Sequence, residues 1–214
     1  MIAAGFLPAM KTTILQANLE GSVAHAVDVL KEGGVVAFPT DTVYGLGALA
    51  YNTESLKRIY NIKGREHNKA IAILIANTDQ LEQIALDPKD EIYKLARRFW
   101  PGPLTMVLER HADLPELLAP NHTIGVRVPD HDVALELLEA AGPMAVTSAN
   151  LSGEENANTA EAVEQQLAGR VHLILDGGKT PGGVPSTVVD LTQSLPTLLR
   201  EGPIGEAEIL ASLA

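Results

Sequence analysis

The chain has 214 residues, and its 46% hydrophobic content allows one domain with a substantial core rather than a disordered segment. Its formal net charge of -11 argues against a general nucleic-acid-binding protein, although a local basic cleft is compatible with it. Cysteine is absent, which excludes a disulfide scaffold, a thiol nucleophile and a cysteine-ligated metal. The beginning, MIAAGFLPAMK, lacks the pattern of a signal peptide, and no apolar run is long enough to span a membrane, so we expect a cytoplasmic protein.

Helical and strand patterns alternate in the first half of the sequence. The first predicted helix covers 23–32, where apolar residues recur on one face between a cap at Ser22 and a stop at Gly33. Thr53 is predicted to cap the next helix, and Thr78 to open a later one. The predicted elements of this half are strand 35–38, helix 54–61, strand 70–76, the helix opened by Thr78, and helix 90–100, which Pro101 ends.

The second half continues the alternation. Its predicted strands are 104–108, 123–128, 144–147, 171–175, 187–191 and 196–200. Its predicted helices run from a cap at Asp130 or Asp132 to Ala141, from a cap at Thr159 to Ala168, and over 206–213. This order predicts an α/β fold in a single domain over 1–214, with a core at about 20–205. The sheet is predicted to be mixed, because some connections are too short for a crossover helix.

The stretch 33–50, GGVVAFPTDTVYGLGALA, carries the densest local signal. A buried strand leads to the polar segment 39–42, and a turn containing Tyr44, Gly45 and Gly47 is predicted to follow. This arrangement is typical of a small-molecule site, and it is equally compatible with an ordinary strand and turn.

Two nucleotide-binding motifs are approached but not matched. Residues 45–50 have the G-x-G-x-x-A spacing, but no helix begins there, so structural glycines are the favoured interpretation. Residues 178–180 resemble the end of a P-loop, but Pro181 blocks the helix that must follow. The six histidines have no metal-binding spacing, and no G-x-S-x-G elbow supports a serine hydrolase.

Polar and charged side chains recur at strand ends and in loops. Lys63 and Arg65 would share one side of an extended segment. Arg127 lies within an apolar strand, where it needs either a structural Asp or Glu partner or a ligand carboxylate or phosphate. The same pattern includes Ser148, Asn150, Ser186, Thr187 and Arg200. Each residue alone is compatible with a structural role, but together they favour an enzyme cavity for an anionic, hydroxyl-bearing ligand such as a nucleotide.

Six segments, in order and covering about residues 20–205, resemble the YrdC-type threonylcarbamoyl-AMP synthases. They are PTDTVYGLG (39–47), KGR (63–65), FWPGPLT (99–105), TIGVRVP (123–129), TSANLSG (147–153) and STVVD (186–190). The resemblance implies one YrdC-like domain, with a twisted mixed sheet, flanking helices and a concave ligand cleft. It also implies that no additional C-terminal domain is present.

The resemblance further implies a nucleotidyltransferase of tRNA modification. The enzyme would combine L-threonine, bicarbonate or CO2, and ATP into threonylcarbamoyl-AMP and release pyrophosphate. Mg²⁺ would accompany ATP, and no metal site on the protein itself is predicted. The product would pass to a transferase complex that forms N6-threonylcarbamoyladenosine (t6A) in tRNA. Contact with tRNA or double-stranded RNA is compatible with that role, whereas a membrane is not involved.

Residue roles are implied by the same match. The catalytic set is Lys63, Arg65, Ser148 and Asn150. L-threonine would be bound by Thr42, Arg127, Ser148 and Ser186. ATP would be bound by Arg65, Lys69, Thr123, Asn150, Asn158 and Arg200. Lys63 and Arg65 would offset phosphate charge, and Arg127 would bind the threonine carboxylate.

The sequence departs from the family pattern in several loops. The family usually has proline after KGR, where this chain has Glu66, and glutamate where this chain has Pro185. These departures keep an alternative open, a YrdC-like paralogue that binds double-stranded RNA, tRNA or nucleotide without synthase activity. A carbamoyl-transfer role as in hydrogenase maturation would imply a much larger multidomain chain.

Overall fold

The computed structural model describes residues 10–181 and 183–213. The prediction about a signal peptide rests mainly on residues 1–9, which lie outside the described residues. Over the described ranges, the protein contains no helix with the length and apolar character needed to cross a lipid bilayer.

Strands and helices alternate along the chain, as predicted. The strands are β1 (Thr13–Gln16), β2 (Val36–Phe38), β3 (Gly45–Leu49), β4 (Ala72–Leu74), β5 (Leu104–Glu109), β6 (Thr123–Arg127), β7 (Met144–Ser148), β8 (Leu173–Asp176), β9 (Thr187–Asp190) and β10 (Thr197–Arg200). The α-helices are α1 (Ser22–Lys31), α2 (Thr53–Lys63), α3 (Asp90–Phe99), α4 (Asp132–Ala141), α5 (Ala160–Leu167) and α6 (Glu206–Leu213). Short 3-10 helices cover Thr78–Gln83 and Glu116–Leu118.

These strands form one sheet in the order β1-β8-β2-β3-β7-β4-β6-β5-β9-β10. Parallel pairs such as β4–β6 and β5–β9 alternate with antiparallel pairs such as β3–β7 and β5–β6. The predicted α/β fold with a mixed sheet is therefore confirmed.

The two faces of the sheet are covered unequally. The larger core packs one face against α2, α3, α5 and α6, with Leu56 and Leu95 among its buried residues. The smaller core packs α1 and α4 against β8, β2 and β7 on the other face. On that second face, the side chains that β6, β5 and β9 contribute line an open cleft instead.

Strand β3 occupies the segment where a turn was predicted, so that prediction is wrong. It pairs with β2 on one side and with β7 on the other. Its glycines are explained by close neighbours, since a Cβ at Gly47 would lie 2.7 Å from Met144 Cε and 2.9 Å from Phe38 Cε1. Two glycines in a short run are typical of a turn, and only tertiary packing reveals that they belong to a central strand.

Two strands differ from the prediction in other ways. β1 has no counterpart among the predicted elements, because its TILQ residues are largely exposed at the sheet edge and pair only with β8. β4 is restricted to Ala72–Leu74, although the apolar run 70–76 predicts a longer strand.

Several predicted helix caps are wrong. Ser22 is itself the first residue of α1, and its hydroxyl donates to the carbonyl of Gln16 at 2.8 Å. Asn52, not Thr53, caps α2, because its Oδ1 accepts from the backbone N–H of Ser55 at 3.1 Å. The observed N-cap residues, Gly21 for α1 and Asn52 for α2, each lie one residue before the predicted cap, within the usual uncertainty of helix boundaries.

The remaining caps give a mixed outcome. A helix does begin at Thr78, as predicted, although it is a 3-10 helix, and Asn77 caps it. His131 precedes α4 without a side-chain cap, so Asp130 and Asp132 do not cap that helix. Thr159 is confirmed as the cap of α5, since its Oγ1 accepts from the backbone N–H of Ala162 at 3.2 Å.

Candidate functional site

A cavity of about 350 Å³ opens on the uncovered half of the sheet. Thr105 on β5 pairs with Val188 on β9, which pairs with Arg200 on β10. The adjacent pair of Met106 with Val126 places Thr105 opposite Arg127 on β6. Because side chains alternate across a strand, these four residues point to the same face, where all of them line the cavity.

A β-bulge brings Arg200 into this row. Leu198 pairs with Val189, but Val188 pairs with Arg200 rather than with Leu199. Without the extra residue, the alternation along β10 would turn Arg200 to the opposite face of the sheet.

Small residues form the floor of the cavity. Ala72, Gly125 and Val146 line it from β4, β6 and β7. A Cβ at Gly125 would lie 3.1 Å from Thr105 Cγ2 and 3.4 Å from the Cβ of Ala72, so glycine keeps this part of the sheet open.

Arg127 is buried and has several partners inside the protein. Its Nε donates to the carbonyl of Gly102 at 2.9 Å, its Nη1 donates to Thr42 Oγ1 at 3.1 Å, and its Nη2 forms an ion pair with Asp41. Burial lowers the pKa of Arg127, whereas Asp41 acts in the opposite direction. The sequence left open whether Arg127 pairs with a carboxylate of the protein or with a ligand, and the structure contains the protein carboxylate, Asp41. Each Nη still has a second N–H, which can serve a ligand in the cavity.

Ser186 joins two walls of the cavity. Arg200 donates from Nε to the carbonyl of Ser186 at 3.0 Å and from Nη2 to its Oγ at 3.1 Å. The same Oγ lies 2.8 Å from Thr105 Oγ1, and both hydroxyl residues are buried. This network fixes the position of Arg200, and its Nη1, which has no hydrogen-bond partner among the described residues, can donate to an anionic ligand.

Ser148 ends β7 opposite Gly45 and lines the cavity. Its hydroxyl makes no hydrogen bond to any other described residue, so it is available to a ligand. The carbonyl of Ser148 accepts from Lys63 Nζ, which also donates to the carbonyl and the Oδ1 of Asn150. The turn after β7 is therefore attached to the end of α2.

Lys63 is the last residue of α2, and Gly64 adopts a left-handed conformation at its end. The prediction of an extended segment that points Lys63 and Arg65 to one side is therefore wrong. Burial, as the larger cause, and repulsion from Arg65, as the smaller one, lower the pKa of Lys63 to about 7. Its three oxygen partners favour the charged form and oppose this shift.

Arg65 lines the cavity from the loop after α2. Its Nε donates to the carbonyl of Lys69 at 3.2 Å and its Nη2 to the carbonyl of Ala70 at 2.8 Å. Burial lowers the pKa of Arg65. Lys69 is not among the lining residues, and its Nζ forms an exposed ion pair with Glu66 at 3.7 Å.

Tyr44 connects the cavity to the glycine loop after β8. Its hydroxyl donates to the carbonyl of Gly178 at 2.8 Å and accepts from the N–H of Gly177 at 3.3 Å. Burial raises the pKa of Tyr44 to about 12, so it is protonated near neutral pH.

The structure brings together about half of the predicted site residues. Those that line the cavity are Thr42, Arg65, Arg127, Ser148, Ser186 and Arg200. Those outside its lining are Lys63, Lys69, Thr123, Asn150 and Asn158. Thr123 forms hydrogen bonds with Asn121, and the carbonyl of Asn158 accepts from the N–H of Thr180.

Other polar residues, together with Pro185, line the cavity although no binding role was assigned to them. They are Thr40, Tyr44, Thr105, Thr147, Asn156 and Pro185. Thr40 and Tyr44 belong to the stretch 33–50 that was considered as a possible small-molecule site. Thr105 is the one that sequence could have revealed, because it alternates with the buried residues Leu104 and Met106 and so points away from the core. Asn156 lies in a polar loop that has no periodicity to place it.

The cavity combines three guanidinium groups with several hydroxyls over an apolar floor. Such a site can bind a ligand that has both anionic and hydroxyl groups. Within residues 10–181 and 183–213, no cluster of three or more His, Cys, Asp or Glu side chains could hold a metal ion.

The chain is similar to known proteins over most of its length. The sequence model of the Sua5, YciO and YrdC proteins, described as Telomere recombination, matches residues 28–202. Proteins named threonylcarbamoyl-AMP synthase from Pyrococcus abyssi and Bacillus subtilis are 43% and 44% identical to this chain over 192 residues, or 89% and 88% of its length. The crystal structure of P. abyssi Sua5 complexed with L-threonine superposes with a TM-score of 0.90 and 40% identity over 95% of this chain.

The chain spans only part of these longer proteins. It covers 56% of each of the two curated relatives and 61% of the P. abyssi structure. The matched region contains the strands β2 to β10 and every described residue that lines the cavity. The chain belongs to the Sua5/YciO/YrdC family.

Proposed function

We propose that this chain is a threonylcarbamoyl-AMP synthase that takes L-threonine, bicarbonate or CO2, and ATP. The observation that carries the proposal is the cavity in which Arg65, Arg127 and Arg200 face the hydroxyls of Ser148 and Ser186. The identity of 43% to a relative of that name supports it, as does the related structure with L-threonine.

The roles are proposed from the hydrogen-bond donors in the cavity that are not used by other described residues. The second N–H groups of Arg127 bind the threonine carboxylate, next to Thr42 and Ser186. Arg65 and Arg200 bind phosphate oxygens, and Ser148 donates its hydroxyl to the substrate. Binding at fixed positions and charge neutralisation are the main contributions that a protein makes to nucleotidyl transfer.

The proposed reaction needs no protein nucleophile. The threonine amine adds to CO2 and loses a proton, which gives a carbamate. A carbamate oxygen then attacks the α-phosphorus of ATP, and the bond to the bridging oxygen breaks as pyrophosphate leaves. Mg²⁺ would enter with ATP as the counterion of its phosphates, and Asp41, which is paired with Arg127, is not proposed as a ligand.

The wider role extends the same proposal. The mixed anhydride would be consumed by transfer of the threonylcarbamoyl group to adenosine in tRNA, by a separate transferase complex in the cytoplasm. The single sheet supports the proposal that residues 20–205 fold as one domain.

Pyrophosphate release tests the activity directly. Purified protein is incubated with ATP, Mg²⁺ and bicarbonate, with and without L-threonine, and we expect release that depends on threonine. Arg65→Met should abolish it. Lys57→Met removes one positive charge from the exposed side of α2 and should leave it unchanged.

If the folded protein releases pyrophosphate equally with and without L-threonine, the proposal that it is a synthase is contradicted. The alternative paralogue would then be tested by RNA affinity, which should fall steeply with salt and with charge reversal at Arg65.

A further inference from the structure

Lys63 and Asn150 belong to the predicted catalytic set, but neither lines the cavity. Lys63 is 3% exposed and Asn150 is 5% exposed. A side chain that contacts a triphosphate must present a free donor to the ligand, so the partners of these two residues decide their role.

The ammonium of Lys63 has one oxygen partner for each of its three N–H groups. Its three N–H groups face the carbonyl of Ser148, the carbonyl of Asn150 and the Oδ1 of Asn150. An ammonium has three hydrogens and no acceptor, so none is left for a phosphate oxygen.

The amide of Asn150 is equally saturated. Its Oδ1 accepts from Lys63, and its Nδ2 donates to the carbonyl of Leu151 at 2.9 Å and to that of Glu154 at 2.7 Å. The network closes when the backbone N–H of Ser152 donates to the carbonyl of Lys63 at 3.0 Å. Fully satisfied buried networks of this kind hold a segment in one conformation.

This network surrounds Ser148. The carbonyl of Ser148 accepts from Lys63 and from the N–H of Asn150 at 3.0 Å, while its hydroxyl lines the cavity without a described partner. Arg65 differs from Lys63, because it lines the cavity and keeps Nη1 without a described partner. The two basic residues are thus two positions apart in sequence but have different surroundings.

We propose that Lys63 and Asn150 are positioning residues that hold Ser148 at the cavity wall, and that Arg65 alone supplies phosphate charge from this loop. The identity of the ligand rests on the proposed function, whereas the pairing of Lys63 with Asn150 does not.

The test compares Lys63→Met, Asn150→Ala, their double variant and Arg65→Met with the wild type. ATP affinity is measured by calorimetry without threonine at several salt concentrations. We expect Lys63→Met to bind ATP within twofold of the wild type with an unchanged salt dependence. Arg65→Met should bind about tenfold more weakly and with a reduced salt dependence.

The kinetic part of the test uses pyrophosphate release. Lys63→Met and Asn150→Ala should each lower kcat by about 100-fold and raise the KM for L-threonine, with the KM for ATP unchanged. The double variant should be no more than about twofold worse than the worse single variant, since residues that act as a unit are not additive. Lys57→Met is the control for loss of charge on the same helix.

Two results would overturn the proposal. One is a loss of ATP affinity in Lys63→Met that matches Arg65→Met. The other is a double variant whose effect equals the product of the single effects. If the variants do not fold, a crystal structure of the wild type with a non-hydrolysable ATP analogue decides. Lys63 must then keep its three oxygen partners, and a bond from Nζ to a phosphate oxygen contradicts the proposal.

Failure of the proposed function is distinguishable from failure of this inference. A wild-type protein without threonine-dependent release contradicts the synthase alone. Urea unfolding of the single and double variants still reports whether Lys63 and Asn150 act as one unit.

Discussion

At the scale of single residues, the cleft contains a buried ion pair between Arg127 and Asp41. Both side chains are about one-tenth exposed or less. Removing one partner of a buried pair leaves an uncompensated charge, so we expect Asp41→Ala to lower the free energy of unfolding by about 3–5 kcal/mol. Urea denaturation measures this loss.

The matched control for that prediction is Asp28→Ala. Asp28 lies on the exposed side of α1, and its loss should change the free energy of unfolding by about 0.5 kcal/mol or less. If the two variants behave alike, the ion pair does not hold the cleft together.

A second residue-scale prediction concerns pH. The Nδ1 of His172 accepts from the N–H of Val35 at 3.1 Å, which requires an unprotonated Nδ1. Burial and then Arg58 lower the pKa of His172 below its ordinary value of 6.5. The unfolded chain therefore binds the proton first as the pH falls, and stability is complete above pH 6.5 and decreases below it. We expect a slope of at most about 1.4 kcal/mol per pH unit.

The variant His172→Asn isolates this effect, because asparagine offers an acceptor that does not titrate. Urea unfolding between pH 5 and 7 should show a smaller pH dependence in the variant than in the wild type. Equal slopes would show that another group is responsible.

At the scale of elements, β3 shows what sequence periodicity cannot resolve. Its GLGAL sequence has neither alternation nor β-branched residues, so nothing local indicates a central strand. Arg200 is a comparable case, since the bulge that turns it toward the cavity leaves no mark in the TLLR sequence. Helices with regular apolar spacing, such as α1 and α4, were predictable because their periodicity is local.

The close packing of β3 leads to a third prediction. Gly47→Ala should lower the free energy of unfolding by about 1–3 kcal/mol, because the new Cβ meets Met144 and Phe38 at less than 3.0 Å. Gly205→Ala is the control, since nothing lies within 4 Å of its added Cβ. Thermal melting compares the two, and equal melting temperatures would contradict the packing argument.

At the scale of the whole molecule, the cavity is built from strands across most of the sheet, so ligand binding stabilises the entire fold. L-threonine at 100 times its Kd should raise the free energy of unfolding by about 2.7 kcal/mol. For a domain of this size, that corresponds to a rise in Tm of about 5–10 °C. Glycine at the same concentration should shift Tm less, because it lacks the hydroxyl and methyl groups. Equal shifts would contradict a threonine site.

Contacts between residues that are distant in sequence also limited how much of the site could be predicted. Arg127 stood out because a charge inside an apolar strand must be paired, but its partner Asp41 is 86 residues away and could not be assigned from sequence. Lys63 and Arg65 form one motif in sequence, yet one ends a helix and the other lies in a loop. Motif spacing identifies a family, whereas the partners of each donor depend on how the strands are arranged.

The position of β10 has a consequence for the order in which the site is completed. It is one of the two edge strands of the sheet and is the last strand in sequence among the described residues. A ribosome that synthesises this protein therefore releases Thr42, Ser148 and Arg127 long before Arg200. Until β10 has paired with β9, the cleft lacks one of its three guanidinium groups. A nascent or truncated chain that lacks β10 therefore has two of the three guanidinium groups that line the cavity, and the third is added only when the sheet is complete.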